Sequence, residues 1–369
     1  MWPYFLLVFV ILILQFELSE KNTTNIRFYI GIVVLFVFAA FRGNGDGDYF
    51  AYLSYGSDIQ TLQDVLYTHK NMEIGYRIIA FGVNYLNLPN QAIIMAMNLI
   101  SIACICIFVK RYSVDRCFSL LLFFPLYFQF DMHAARTAVA ISISSLAFRY
   151  ALERKPIKFI ITILFASMFH ASAIIVLPLY ILVYIKLNLL GGLVSIGFGM
   201  LFVKIIGFDT VATTLLRLLN MESYLTRYLI YASDETYGYE YSLLDPRLII
   251  LIVTYVISVI VIKNKGRYEN LLINCCLADV LLLIFFSEHT ALANRLSSYY
   301  NVYTIILVPV IMKNMYEWFE QYRHRYVGMQ NKLISRFSCI AFYCLLAAAY
   351  AYSKFVAYGT DYRFFWSNV

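Results

Sequence analysis

The chain has 369 residues, of which 62% are hydrophobic and only 14% charged, and its mean hydropathy is +0.71. A soluble domain carries nearer a quarter charged residues, so lipid rather than water must solvate much of this surface. The net charge of +7 is not a nucleic-acid signal, because the basic residues sit in short clusters between apolar runs, as orientation signals do.

The apolar runs cover residues 2–16, 27–41, 91–109, 117–131, 134–151, 157–169, 171–185, 189–206, 247–263, 268–286, 292–312 and 337–355. They predict an all-α transmembrane bundle of about 12 spans, forming a single integral membrane domain over 1–369. The first run lacks a basic leader and a small-residue cleavage site, so it is expected to be a retained span. Residues 73–88 differ. Glu73, Arg77, Asn84 and Asn87 recur at helical spacing on one face, which predicts an interfacial or re-entrant amphipathic helix.

Basic clusters at Lys21/Arg27, Lys110/Arg111/Arg116, Arg154/Lys155/Lys158, Lys263/Lys265/Arg267 and the 313–336 loop fall on one side of this arrangement. That side is expected to be cytoplasmic. The other side carries two long segments, 42–72 and 207–246, the second with a tyrosine-rich stretch at 231–241. Its cations are mostly arginine, and it holds most of the acids. None of the seven cysteines stands in a CxxC pair, so neither disulfide nor metal use is expected of them, and no cofactor is expected.

Four constellations on the outer side carry chemistry. In the first, Arg42-Gly-Asn-Gly-Asp-Gly-Asp-Tyr49, a flexible glycine loop presents Asp46 and Asp48, either to polarise a hydroxyl or as an ordinary solvated turn. The second, Asp131-Met-His-Ala-Ala-Arg136, opens a span, with His133 and Arg136 on one helical face. An arginine there faces a cavity or an anionic partner, or snorkels to lipid phosphate. The third places His170 at a break inside an apolar stretch, where it serves proton transfer or is a satisfied structural histidine. In the fourth, Glu288, Arg295 and Tyr299 fall on one face at another outer span mouth, a site or a surface ion pair. Arginine binds phosphate oxygens bidentately and stays charged, so repeated outer arginines suit a lipid-linked phosphate or pyrophosphate.

These elements together resemble the EpsG family of bacterial membrane proteins, which belongs with Wzy-type O-antigen and exopolysaccharide polymerases. The resemblance rests on Arg42 with Asp48-Tyr49, Glu73-Ile-Gly-Tyr76, Arg136-Thr-Ala-Val-Ala140, Phe169-His170-Ala-Ser-Ala and Asn294-Arg295-Leu-Ser-Ser-Tyr299, in that order. The proline-tyrosine ending common in the family is replaced here by Asp361-Tyr362. The resemblance implies a GT-C-like membrane glycosyltransferase. It would join undecaprenyl-pyrophosphate-linked oligosaccharide repeats at the periplasmic face of the bacterial inner membrane, without metal or nucleotide sugar. A chain-length regulator is an expected partner, alongside membrane lipid.

On that reading Arg136, Arg295 and Arg42 bind pyrophosphate. His170, Asp48 and Asp46 are the base candidates, with a narrow lean to His170 and with Asp48 orienting the acceptor. Tyr49, Glu73, Tyr76, His133, Glu288 and Tyr299 line the substrate. Three rivals stay open: a flippase for lipid-linked oligosaccharide, an O-antigen ligase, and a sugar acyltransferase. The flippase is disfavoured because the charges gather at the outer face and Asp279 is almost the only acid deep in a span.

Overall fold

Hydrogen-bond economy in lipid leaves helices as the way for such a chain to satisfy its backbone, and helices are what it forms. The computed structural model describes residues 2–15, 23–43, 47–218, 242, 244–326 and 362–368; among these there is no strand, only an isolated antiparallel bridge between Arg42 and Phe364. Two helices among the described residues, Gln91–Tyr112 and Arg267–Phe285, are long and apolar enough to cross a membrane. Six more are apolar but shorter. The run at 337–355 and the stretch at 231–241 lie outside the described residues.

The chain forms two compact units, residues 1–180 with 308–369, and residues 181–307. The first unit contains α1 (Trp2–Ile13), α2 (Thr23–Ala40), α3 (Gly47–Ser57), α4 (Leu62–Tyr67) and α5 (Ile74–Tyr85). These are followed by α6 (Gln91–Tyr112), α7 (Arg116–Leu126), α8 (Ala135–Leu152) and α9 (Pro156–Ser167). A π turn, Tyr127–Asp131, extends α7. α8 is its central helix, packed by α6 and α9. Its sequence explains this: Ala138, Ala140, Ser142, Ser144, Ser145 and Ala147 are all buried, and small side chains let neighbouring backbones approach closely. The serines stay satisfied by donating back to their own helix, as Ser144 Oγ does to the Ala140 carbonyl at 2.6 Å.

Two sequence expectations change here. The 42–72 segment is not a flexible loop throughout. α3 and α4 occupy much of it, and Asp48 lies in the first turn of α3. The run 171–185 is not one straight helix. A 3₁₀ turn, Ala171–Val176, gives way to a four-residue helix, α10 (Leu179–Leu182), because Pro178 lacks an amide hydrogen and disfavours helix before it. The amphipathic helix at 73–88 forms as α5, with Gly75, Tyr76, Arg77, Ala80 and Val83 buried.

The second unit contains α11 (Leu189–Ile205), α12 (Phe208–Leu218), α13 (Pro246–Val261), α14 (Arg267–Phe285) and α15 (Thr290–Asn301), with α14 packed against α11, α13 and α15. The run 292–312 breaks at Val302-Tyr303 before the next helix, Thr304–Tyr326. At the break the Asn301 amide turns to Asp279 Oδ2 at 2.7 Å, and the Thr304 hydroxyl donates to the Asn301 carbonyl at 2.7 Å. The Thr304–Tyr326 helix carries on through the first part of the expected 313–336 loop.

Candidate active site

Within the first unit the charges separate into two ends. At one end, Glu153 draws in Arg149 at 2.6 Å, Lys155 at 2.7 Å and Arg111 at 3.6 Å. Arg116 bonds Asn25, and Lys110 lies 5.5 Å from the Tyr29 ring centroid. Arg149 and Lys155 hold the Glu153 carboxyl down at about 2. These are the basic clusters read as cytoplasmic. The opposite helix ends, the C-termini of α2 and α9 and the N-termini of α6 and α8, carry the motif residues.

The end of α2 is tied down by a residue that sequence reading missed. Gln91, buried at the start of α6, donates to the carbonyls of Ala40 at 2.9 Å and Arg42 at 3.0 Å, satisfying orphan acceptors beyond the helix end. Its own oxygen accepts from Tyr49 at 2.9 Å, which fixes α3 beside α6. Tyr49 is therefore a buried scaffold residue, not a lining one. The carbonyls closing α3 are taken by Asn84, whose amide reaches Gly56 and Ile59, each at 2.7 Å.

On this frame Asp48, Tyr52, Glu73, Tyr76 and Arg136 come together. Tyr52, one turn after Asp48, donates to Asp48 Oδ2 at 3.3 Å. The Tyr76 hydroxyl donates to the Tyr52 carbonyl at 2.5 Å. Arg136 forms an ion pair with Glu73, and its guanidinium lies 5.8 Å from the Tyr52 ring centroid. Burial, helped by the Asp48 carboxylate, pushes the Tyr52 phenol up to about 12 against the pull of Arg136 and Arg42. Tyr52 is thus a neutral donor at any physiological pH. The Asp48-x-x-x-Tyr52 spacing was the signal available for it, and it is legible only once residues 47–57 are known to be helical.

Glu73 is positioned by close packing. The Gly75 amide donates to the Met168 carbonyl at 2.7 Å, and a Cβ on Gly75 would lie 2.8 Å from that oxygen and 2.9 Å from the Phe169 ring. The Glu73-Ile-Gly-Tyr76 and Phe169-His170 motifs therefore meet. His170 itself caps the 3₁₀ turn: Nδ1 accepts from the Ser172 amide at 3.3 Å and lies 2.5 Å from Ser172 Oγ.

His133 and Arg136 do not share a helical face, because α8 begins only at Ala135 and His133 lies in the preceding turn. His133 goes instead with Arg42. Arg42 is 2% exposed and donates to the Met132 carbonyl. A small pocket there is lined by Tyr4, Arg42, Gly43, His133, Tyr362 and Arg363, among others. Its last two members come from the C-terminal segment, where Asp361-Tyr362 stands in place of the family's proline-tyrosine ending. Asp46 lies outside the described residues.

The second unit holds Glu288, Arg295 and Tyr299. Glu288 precedes α15, so it is not on a helical face with the other two. It accepts from the Asp209 amide at 2.7 Å, beside Gly207, whose φ of +74° and lack of Cβ leave room for the carboxylate. Burial pushes the Glu288 carboxyl up. His289 Nε2 contacts Asp209 Oδ1 at 2.5 Å. Tyr299 is fully buried, and Arg295 is half-buried on α15.

Among the described residues no group of three or more His, Cys, Asp or Glu side chains has metal-binding geometry. The first unit's site offers instead a carboxylate next to a buried phenol, and a guanidinium at a helix start. A cation there opposes the helix dipole, so Arg136 is not placed to stabilise α8; its carboxylate partner offsets the cost. No curated protein and no solved structure matches the chain. A family model described as the EpsG family matches residues 25–360, nearly the whole chain, and the chain therefore belongs to the EpsG family.

Proposed function

We propose that this protein is a polysaccharide polymerase that joins undecaprenyl-pyrophosphate-linked oligosaccharide repeats at the outer face of the bacterial inner membrane. Membership of the EpsG family supports a polymerase role, a membrane setting and a lipid-linked saccharide substrate in general. The observation that carries the finer reading is the gathering of Asp48, Tyr52, Glu73 and Arg136 at the end of the first unit opposite its basic clusters. With that basic end cytoplasmic, the carboxylate and guanidinium face the periplasm. The chain then makes about a dozen crossings as one integral membrane domain, with α5 at the interface and a GT-C-like arrangement.

Asp48 takes the proton of an acceptor sugar hydroxyl while that oxygen bonds to the anomeric carbon of the donor. The bond from that carbon to the pyrophosphate oxygen breaks, and undecaprenyl pyrophosphate leaves with the electron pair. Arg136 and Arg42 stabilise the charge developing on the leaving group. A fixed guanidinium does this without reorganisation at the moment of reaction.

The test is purified protein in proteoliposomes with lipid-linked repeats, followed by the length of the glycan. A ladder of multiples is expected. Movement of repeats across the bilayer without growth would replace this reading with a flippase. Cysteine labelling checks the orientation: positions near Lys155 should be reached from the cytoplasm, and those near Leu62 from outside.

A further inference from the structure

The segment Tyr362–Asn368 returns to the end of α2 from more than three hundred residues away. The Tyr362 hydroxyl donates to the Phe38 carbonyl at 2.9 Å, and its ring stacks on Phe38 at 4.0 Å. The Gly43 amide donates to the Arg363 carbonyl at 2.6 Å, and the Phe365 amide to the Phe41 carbonyl at 3.1 Å, forming the bridge between Arg42 and Phe364. Among the described residues, backbone groups, aromatic rings and the Tyr362 hydroxyl make this clasp, and none of these contacts uses a cation at position 363. Yet the clasp sets Arg363 into the same pocket wall as Arg42 and His133, next to Tyr362.

We propose that this clasp builds a phosphate subsite, with Arg42 and Arg363 as its cations and the Tyr362 ring as its wall, which takes the pyrophosphate head group of a lipid-linked saccharide. The proposal rests on the polymerase reading above and adds Arg363 as a binding residue. Two like charges placed side by side repel, and an anion between them reverses the sign of that interaction. Arg42 is buried and donates to the Met132 carbonyl, whereas Arg363 is exposed on the pocket wall, so Arg363 is the cation an arriving phosphate meets first. Gln91 ties the Arg42 carbonyl to Tyr49, the chain neighbour of Asp48, so the pocket is joined to the cluster of Asp48 and Arg136. An extended diphosphate, or a second lipid-linked phosphate beside the first, fits such a pair of adjacent cationic places.

The experiment measures binding of undecaprenyl pyrophosphate, inorganic pyrophosphate and phosphatidylglycerol to the full-length protein in nanodiscs. Arg363→Ala should weaken the first two by the same factor, roughly three- to tenfold for one exposed charge-assisted contact, and leave the third unchanged. Arg363→Lys should recover part of the loss. Thermal unfolding runs beside it, with Tyr362→Phe as the variant that loosens the clasp but keeps both arginines. Unchanged pyrophosphate affinity in Arg363→Ala overturns the subsite. So does a loss confined to phosphatidylglycerol, which would mark a membrane-surface contact. A loss matched by lower thermal stability and not eased by lysine would reduce the segment to a structural clasp. Binding is read without chain growth, so a protein that binds pyrophosphate through Arg363 but never extends a glycan would sink the polymerase reading and leave this site standing.

Discussion

Arg136 and Glu73, 63 positions apart, form an ion pair that joins the first turn of α8 to the start of α5, each side chain about a fifth exposed at 19% and 21%. The pair holds an arginine fork in a place where the helix dipole disfavours it. Arg136→Ala should stop chain growth, a loss of at least about a hundredfold, with the protein still present in the membrane. Lysine keeps the charge but not the fork, so Arg136→Lys should remain impaired by roughly tenfold or more. Glu73→Gln removes the balancing charge and should cost about tenfold. Glycan ladders against membrane protein level measure all three, and normal ladders in the alanine variant would leave Arg136 a purely structural residue.

Gly75 controls that pair from a distance. A methyl group there would meet the Met168 carbonyl oxygen at 2.8 Å and the Phe169 ring at 2.9 Å. A backbone oxygen cannot swing aside, so Gly75→Ala should push the start of α5 away from the end of α9, costing roughly 1–3 kcal/mol. Glu73 sits two residues before it and should lose its register with Arg136. The variant should therefore melt earlier and also make shorter chains. A variant that melts earlier but polymerises normally would show that the packing of these two motifs serves stability alone.

The order of the helices was legible in the sequence, because apolar runs and basic clusters are read from composition alone. Their breaks were less so. His170 was an evident break point, but the interruption at Val302-Tyr303 depends on Asn301 reaching Asp279 on another helix, which no local pattern records. The same limit applies to the site. Arg42, Asp48, Glu73 and Arg136 stood out as polar residues beside apolar runs. Tyr52 and Gln91 did not, since their roles arise from partners that only folding supplies. His133 and Arg136, three residues apart, share a face only in a continuous helix; the turn before α8 sends one to the pocket of Arg42 and the other to Glu73.

Tyr52 gives a pH dependence whose sign follows from its raised pKa. The folded protein keeps the phenolic proton up to about 12, whereas an unfolded tyrosine releases it near 10.0. The folded state therefore binds more protons in that window, and stability present below pH 10 is lost as pH rises toward 12. Tyr52→Phe should flatten this alkaline fall in unfolding experiments. Below pH 10 the same variant removes the donor to Asp48 and should slow chain growth roughly three- to tenfold. An unaltered alkaline limb together with wild-type activity would remove Tyr52 from the site.

The proton acceptor is decided between His170 and Asp48. His170 Nδ1 receives the Ser172 amide, so in the neutral ring the proton resides on Nε2. A ring in that tautomer has no lone pair left on Nε2 to take a sugar proton. Asp48 is held differently. The first turn of α3 fixes its backbone, and Tyr52 bonds one carboxylate oxygen. Because asparagine is a good helix-start cap, His170→Asn should keep the bond to Ser172 and leave chain growth within about threefold of wild type. His170→Ala loses that cap and should lose about 1 kcal/mol of stability rather than the chemistry. Asp48→Asn keeps size and hydrogen bonding but cannot accept the proton, and should cost about 10²–10⁴-fold in rate, the usual contribution of a general base. The rates of chain growth for the two asparagine variants, measured at equal protein in the membrane, separate the assignments. A hundredfold loss in His170→Asn with near-normal Asp48→Asn would transfer the base to His170 and reduce Asp48 to orienting the acceptor.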